Sequence, residues 1–434
     1  MKGRQGNLVP HLLIIELPGG NDADVMLAAI DRGDEFTFLS AELDHYRRQP
    51  QLQAPLARAR ELVEVPWFDP SEAERLVMAV HAKHRIDAVL CLIDIRMPEA
   101  ARLAHRLGVR HLNPASASLL RDKFSVRRRL AERGLEQPAF ELAESNPALK
   151  LAVERLGLPV LIKPADGYGS QNIVVLRDAA DLDPLMSPLE DMLPCRTDYG
   201  LGARANDRLL VERYMTGAFV GCDTLSEAGR HRMLGVHEKL MFEPPSFAMR
   251  GSCFTAGCTG FEATKRYVFA VLDALEFDWG AAHIELMITA DGPRLIEINP
   301  RLVGAKIPRL VSYATGRSVH ADLIALHAGE GLPLTMPRLA EAAVIRWIVA
   351  TRAGTLDRVE LPDWKDPRIR CVEVLKQQGE PVRPPFENAD RIGYVMVSGR
   401  RAEAEEVADR FVAEARVRLC EEAPALEREA ERAC

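Results

Sequence analysis

The chain has 434 residues, 47% of them hydrophobic and 27% charged, which is enough for two or three cored domains and too apolar for a disordered polymer. Its net charge of −7 comes from acidic and basic residues mixed along the whole length, with no basic block to neutralise a phosphate backbone, so nucleic acid is excluded as an expected partner. The eight cysteines show no C-x-x-C pair and no histidine at zinc-finger spacing, which argues against a zinc site or a disulfide framework and for a reducing, cytoplasmic setting. The apolar run from Leu12 to Leu17 is cut by Pro18-Gly19-Gly20, too short for a signal-peptide core, and no stretch reaches the roughly 18 to 20 apolar residues of a membrane span.

In chain order, His11 to Glu16 reads as a buried strand, Pro18 to Asn21 as a turn and Ala23 to Arg32 as a helix, the opening of an open α/β sheet. Phe36 to Ser40 is a second strand, Ser71 to Lys83 a helix with a serine N-cap, Ala88 to Leu92 a third strand, and Pro98 to Leu107 another helix. Residues 1–117 are therefore expected to form one βαβ domain. The Gly pair after the first strand lacks the G-x-G-x-x-G spacing of a dinucleotide fingerprint and reads as a tight turn. A charged helix from Asp122 to Arg133 ends at Gly134, and a second domain is expected over 118–331, with a lid subdomain near 150–215. Asp181 to Asp207 has little periodicity and reads as an insertion or hinge. From 332 to 434 a smaller α+β unit follows, with strands at Glu341 to Ala350, Val372 to Leu375 and Gly393 to Val397, and a long amphipathic helix from Ala402 to about Leu419.

Two segments carry chemistry. The first is the strand Pro159 to Pro164, which places Lys163 at its end, followed by the loop Ala165 to Asn172 and a strand from Ile173 to Leu176. A lysine beside a glycine-rich hairpin can set an ammonium and several backbone N–H groups around phosphate oxygens, the loop residues Gly167, Gly169, Ser170 and Gln171 supplying the close approach. Taken alone, the pattern reads equally well as an ordinary hairpin with a surface lysine. The second segment runs His283-Ile284-Glu285, then an Asp291-Gly292 turn, then Arg294 to Arg301. Two strands joined by an Asp-Gly turn bring Glu285 and Glu297 side by side; with the Asn299 amide they offer hard oxygen ligands that suit Mg²⁺ against substrate phosphates, and Mn²⁺ as its substitute. Crowded carboxylates are costly without a cation. Arg301 adds a permanent guanidinium where phosphoryl-transfer charge develops. The competing reading is a solvated, exposed hairpin, which leaves unexplained why Glu297 to Arg301 follows an apolar Leu-Ile strand.

With both hairpins in view, the sequence resembles the ATP-grasp superfamily, and within it the branch of L-amino acid ligases and carnosine-synthase-like enzymes. The resemblance runs over nearly the whole chain, through Arg121-Asp122-Lys123, the Lys163 to Asn172 loop, Leu210 to Met215, Glu285 to Arg301, and Arg391 to Tyr394. It implies an N-terminal open α/β domain, a two-part ATP-grasp region that holds ATP, and a small C-terminal α+β subdomain. It further implies that Lys123 and Lys163 bind phosphates, that Glu212, Arg213 and Met215 belong to the hinge meeting the adenine, that Glu285, Glu297 and Asn299 hold magnesium, and that Lys163 and Arg301 are catalytic. Lys239 falls where amino acid ligases carry a further basic residue in nucleotide binding. The implied activity is ATP-dependent ligation of a small-molecule carboxylate, with an amino acid as the expected substrate, to an amine through an acyl phosphate; homodimers are common among such enzymes.

The chain departs from the family pattern after the hinge, where Thr216 to Phe219 lacks the usual ribose-binding acid, and at Met249 and Ser252, where amino acid ligases carry Glu and His. Ala305 stands where some dipeptide ligases have a bulky aromatic, and Lys306 adds a charge, so a larger or more acidic substrate enters the reckoning. A specialised ligase acting on a polycarboxylate such as citrate, with Lys306 and Arg250 favouring it, is the second reading. A bicarbonate-activating carboxylase, a nucleotide-binding module without catalysis and a dinucleotide-binding dehydrogenase follow, each with less in the sequence to support it.

Overall fold

Four apolar runs near the N-terminus form β1 (His11–Ile15), β2 (Glu35–Ser40), β3 (Glu61–Glu64) and β4 (Ala88–Cys91), all parallel to their neighbours in the order β3-β2-β1-β4. The computed structural model describes residues 9–20, 22–167, 173–182, 208–243, 246, 248–257, 260–332 and 338–420. The chain makes two units, one of residues 1–237 with 256–337 and the other of residues 238–255 with 338–434. Every residue of β1 and β4 is buried, as a parallel sheet covered on both faces requires. β3 was not expected from the sequence: Glu-Leu-Val-Glu is short and charged at both ends, as suits an edge strand. The helix Pro70–Lys83 is capped by Asp69 and not by Ser71, the Asp69 carboxylate accepting from the Ser71 and Glu72 N–H groups at 3.1 and 2.8 Å. Pro70 at the first helical position pushes the cap one place upstream of it.

The rest of the first unit is antiparallel. β5 (Phe140–Ala143), β6 (Val160–Pro164), β7 (Val174–Leu176) and β8 (Leu209–Arg213) make a small sheet in the order β5-β8-β6-β7, its apolar face covered by the helix Asn146–Leu156. The chain continues through β9 (Ala218–Glu227), β10 (Arg230–Met241), β11 (Met249–Ala256), β12 (Trp279–Thr289) and β13 (Gly292–Asn299). Within the first unit these give the order β13-β12-β9-β10. Ala282, Ile284 and Leu286 of β12 enter one apolar cluster with Val268, Val271 and Leu272 of the helix Glu262–Ala274, and the same cluster reaches Leu13 and Ile15 of β1. Because strand side chains alternate, that burial turns Ala281, His283 and Glu285 to the opposite face.

The second unit holds β14 (Ala342–Ile348), β15 (Gly354–Glu360), β16 (Ile369–Val374), β17 (Pro381–Val382), β18 (Gly393–Gly399) and β19 (Arg416–Leu419). β11, β14, β18 and β16 lie side by side in that order, and β17-β15-β19 form a separate sheet. Ala404, Val407, Ala408 and Phe411 of the helix Arg401–Glu414 cover Val344, Val395 and Val397. The helix expected to reach Leu419 therefore stops at Glu414: Arg416-Val417-Arg418-Leu419 alternates with period two and pairs with β15. Among the described residues no helix is long and apolar enough to cross a membrane.

Where β4 meets the core of the first unit, His111 and His327 lie with ring centroids 5.3 Å apart beside Trp279 and Arg301. Burial pushes both imidazoles down from 6.5, to about 4 for His111 and about 3 for His327. Folding thus disfavours their protonation: stability is undiminished above pH 6.5 and falls as the pH drops through 6.5 towards 4, by up to ~1.4 kcal/mol per pH unit for each ring. Equilibrium unfolding at pH 7, 6 and 5 should show this slope, and His327→Asn should reduce it; an unchanged slope would mean that His327 does not contribute.

Candidate active site

The β12–β13 hairpin turns at Asp291-Gly292, where Gly292 takes φ +103° and the Thr289 hydroxyl donates to the Gly292 carbonyl at 2.8 Å. This turn sets the register: Glu285 lies directly opposite Glu297, and His283 opposite Asn299. Cross-strand partners have Cβ atoms only about 5 Å apart, so the two carboxylates share one patch of the face that the apolar core leaves free. A cation is already drawn there. The Lys123 ammonium is 3.0 Å from Glu297 Oε1 and donates to the Gly167 carbonyl at 2.9 Å. Lys123 opens the helix Lys123–Glu132, whose N-cap Asp122 accepts from the Ser125 N–H at 2.6 Å.

Behind this patch lies a buried ionic cluster. Glu212 of β8 accepts from Arg127 Nε at 2.5 Å through one oxygen and meets Lys163 Nζ at 2.6 Å through the other. Arg127 Nη2 also donates to the Ile296 carbonyl of β13 at 3.0 Å, and Lys163 Nζ reaches the same oxygen at 3.4 Å. All three residues are at most 5% exposed. Burial pushes the Glu212 carboxyl up, but Arg127 and Lys163 outweigh it and hold it down at about 2. Burial lowers the Lys163 ammonium below its ordinary value, with Glu212 opposing.

Past β13, Arg301 donates to Asp94 Oδ2 through Nε at 2.9 Å and Nη2 at 2.5 Å. Asp94 lies three residues past the end of β4 and is 4% exposed; its other oxygen is buried without a hydrogen-bond partner. Lys306 Nζ lies 2.8 Å from Asp22 and 3.9 Å from Asp24, and Arg309 binds Asp24 through two nitrogens at 2.8 and 2.7 Å. Ala305 is exposed with φ +55°, a backbone conformation uncommon for a residue with a side chain.

The structure thus brings Lys123 into contact with Gly167 and Glu297, and Lys163 into contact with Glu212, and sets Glu285 and Asn299 beside Glu297 on the same hairpin. Arg213 ends β8 with its guanidinium on the Leu156 carbonyl at 2.5 Å, and Met215 follows shortly after. Gly217, next in line, could not be any other residue, because an added Cβ would collide with the Ile288 carbonyl. Gly169, Ser170 and Gln171 lie outside the described residues, and Lys239 belongs to the second unit. Sequence reasoning missed Arg127, Asp94 and Asp223. Arg127 lies one helical turn after Lys123, and Asp223 is the one charged residue from Val220 to Leu225; both were readable signals. Asp94 had none, since its partner is 207 residues away.

Two carboxylates and an amide fit Mg²⁺, which takes oxygen ligands and keeps positions for substrate phosphates. Among the described residues no group of three or more His, Cys, Asp or Glu side chains is placed to hold a metal ion.

Residues 156–308 match the ATP-grasp domain family, and residues 346–419 match L-amino acid ligase C-terminal domain 2. The chain is 30% identical over 366 residues to the uncharacterized protein y4rH of Sinorhizobium fredii, covering 82% of this chain and 73% of that one. It is 25% identical over 360 residues to carnosine synthase 1 of Homo sapiens, covering 78% of this chain but only 41% of that one. Its fold is similar to that of the L-amino acid ligase from Bacillus licheniformis, with TM-score 0.78 at 19% identity over 95% of this chain and 99% of the other.

Glu212→Gln leaves Arg127 and Lys163 buried without an anion and should cost about 3–5 kcal/mol in denaturant unfolding. The folded Glu212 carboxyl lies below its unfolded value of 4.5, so the stability it contributes is present above pH 4.5 and lost as the pH falls towards 2. The variant should lose that part of the acid dependence; equal stability and acid response in variant and parent would refute the buried ion cluster.

Proposed function

Since the chain belongs to the ATP-grasp superfamily and carries an L-amino acid ligase C-terminal domain, we propose that it is a cytosolic ATP-dependent ligase that joins a small carboxylate, an amino acid among its substrates, to an amine. The observation that carries this reading is the direct opposition of Glu285 and Glu297 on a face that also presents Asn299 and draws the Lys123 ammonium. In this reading Glu285, Glu297 and Asn299 hold Mg²⁺, or Mn²⁺ in its place. When bound, the ion neutralises charge on the phosphates of ATP.

The remaining steps belong to the side chains of the chain. Lys123 and Lys163 bind phosphate oxygens, and the backbone from Arg213 to Met215 meets the adenine edge. Glu212 serves indirectly, by holding Lys163. Gly167 contributes the start of the phosphate loop; Gly169, Ser170 and Gln171, and Lys239 in the second unit, join the nucleotide site on the family pattern alone. A carboxylate oxygen of the substrate attacks the γ-phosphorus, the bond to ADP breaks, and an acyl phosphate forms. The amine nitrogen then attacks the acyl carbon, inorganic phosphate leaves, and the nitrogen loses a proton. Arg301, oriented by Asp94, gathers charge on the phosphoryl group as it moves. Positioning does most of this work, without a covalent enzyme nucleophile. The polycarboxylate reading loses one support, because the Lys306 ammonium is already neutralised by Asp22 and Asp24.

Phosphate release from ATP, assayed with amino acids, di- and tricarboxylates and amines singly and in pairs, tests the proposal. Release that needs both a carboxylate and an amine, with a product lighter than their sum by one water, is the expected result; ATP binding without pair-dependent release would favour a binding protein. Glu297→Ala should lower magnesium-dependent turnover at least ~100-fold while circular dichroism and thermal unfolding stay close to the parent. Undiminished turnover in that variant would remove Glu297 from the metal site.

A further inference from the structure

Asp223 lies in β9, 1% exposed, opposite His283 of β12 in the strand register. Both of its oxygens go to imidazoles: Oδ2 to His237 Nε2 at 2.6 Å and Oδ1 to His283 Nδ1 at 2.7 Å. His237 and His283 are 0% and 2% exposed. On its other side, His283 Nε2 faces Glu285 Oε1 at 3.5 Å. The line His237, Asp223, His283, Glu285 therefore crosses three adjacent strands, β10, β9 and β12, and ends on a carboxylate of the proposed cation site.

Burying a carboxylate and two imidazoles in a sheet interior costs several kcal/mol before their mutual hydrogen bonds are counted, and three apolar side chains would hold these strands together at no such cost. The fold therefore does not explain the cluster, whereas the position of its last member does. Burial pushes the Asp223 carboxyl up, but the two histidines outweigh it and keep it well below the usual carboxylate range. An ionised carboxylate only accepts, so His237 Nε2 and His283 Nδ1 both donate to it. That fixes the plane of the His283 ring, whose Nε2 edge lies against the Glu285 carboxylate, 3.5 Å from Oε1.

We propose that Asp223, acting through His283, is a positioning residue that orients the Glu285 carboxylate for the cation, with His237 fixing Asp223 in turn. The proposal rests on the reading of Glu285 as a cation ligand. Carboxylate–histidine partners behind a ligand typically change metal affinity ~10- to 100-fold when removed.

The test measures Mn²⁺ affinity of the full chain with bound ADP, from the electron paramagnetic resonance of free Mn²⁺, alongside metal-free ADP affinity and thermal unfolding. Glu285→Gln should weaken Mn²⁺ binding, and His283→Gln and Asp223→Asn should each weaken it ~10- to 100-fold with metal-free ADP affinity unchanged. The double variant should be no weaker than the worse single one, because both act through one ring. His237→Gln, furthest from the cation, covers the case in which Asp223→Asn does not fold, and should weaken Mn²⁺ binding by less than His283→Gln. Weakening in Glu285→Gln but not in His283→Gln would overturn the relay alone. Unchanged affinity in Glu285→Gln would overturn the cation assignment beneath it. Multiplying effects in the double variant would show that Asp223 and His283 act independently and would also overturn the relay.

Discussion

The first unit is organised around one buried carboxylate. Glu212 takes Arg127 on one oxygen and Lys163 on the other, and both cations reach on to the Ile296 carbonyl. Four segments are thereby joined by charge-assisted hydrogen bonds: the helix Lys123–Glu132, β6, β8 and β13. Removing Glu212 would leave two cations buried without their anion, so the arrangement depends on that one side chain. Lys123 stands one turn before Arg127 on the same helix, so holding Arg127 also holds Lys123 over Glu297.

A second constraint comes from the strand period. The apolar core claims Ala282, Ile284 and Leu286, and the pleat then leaves no choice about where His283 and Glu285 point. The Asp291-Gly292 turn sets the register of the hairpin, and a slip of one residue would send Glu297 into the core and Ile298 to the face. Which side chains this face presents thus follows from packing on the other. Arg301, just beyond the hairpin, is secured differently, by Asp94 at the carboxyl end of a parallel strand, where open α/β sheets commonly present functional groups.

Much of this was legible in the chain. Lys163 at the end of an apolar strand, Glu285 and Glu297 about an Asp-Gly turn, and the parallel opening domain all followed from local periodicity and turn residues, and the structure has each of these elements. The errors fell where local signals compete. Ser71 looked like a cap but Asp69 stood before Pro70; Arg416 to Leu419 continued a helical pattern but alternated well enough to pair with β15; and β3 was too short and too charged to be noticed.

By itself the sequence determined which residues stand as candidates for the chemistry and which of them lie side by side on a hairpin, because side-chain period and turn type are properties of adjacent residues. It did not determine what those residues touch. That Glu212 is consumed by Lys163 and Arg127, that Arg301 leans on Asp94, that Lys306 is neutralised by Asp22, and that Asp223 links His237 to His283 were decided only by the tertiary structure. Most of these contacts join segments far apart in the chain, and the energy of a buried charge depends on the partners that folding brings to it, which no local pattern encodes.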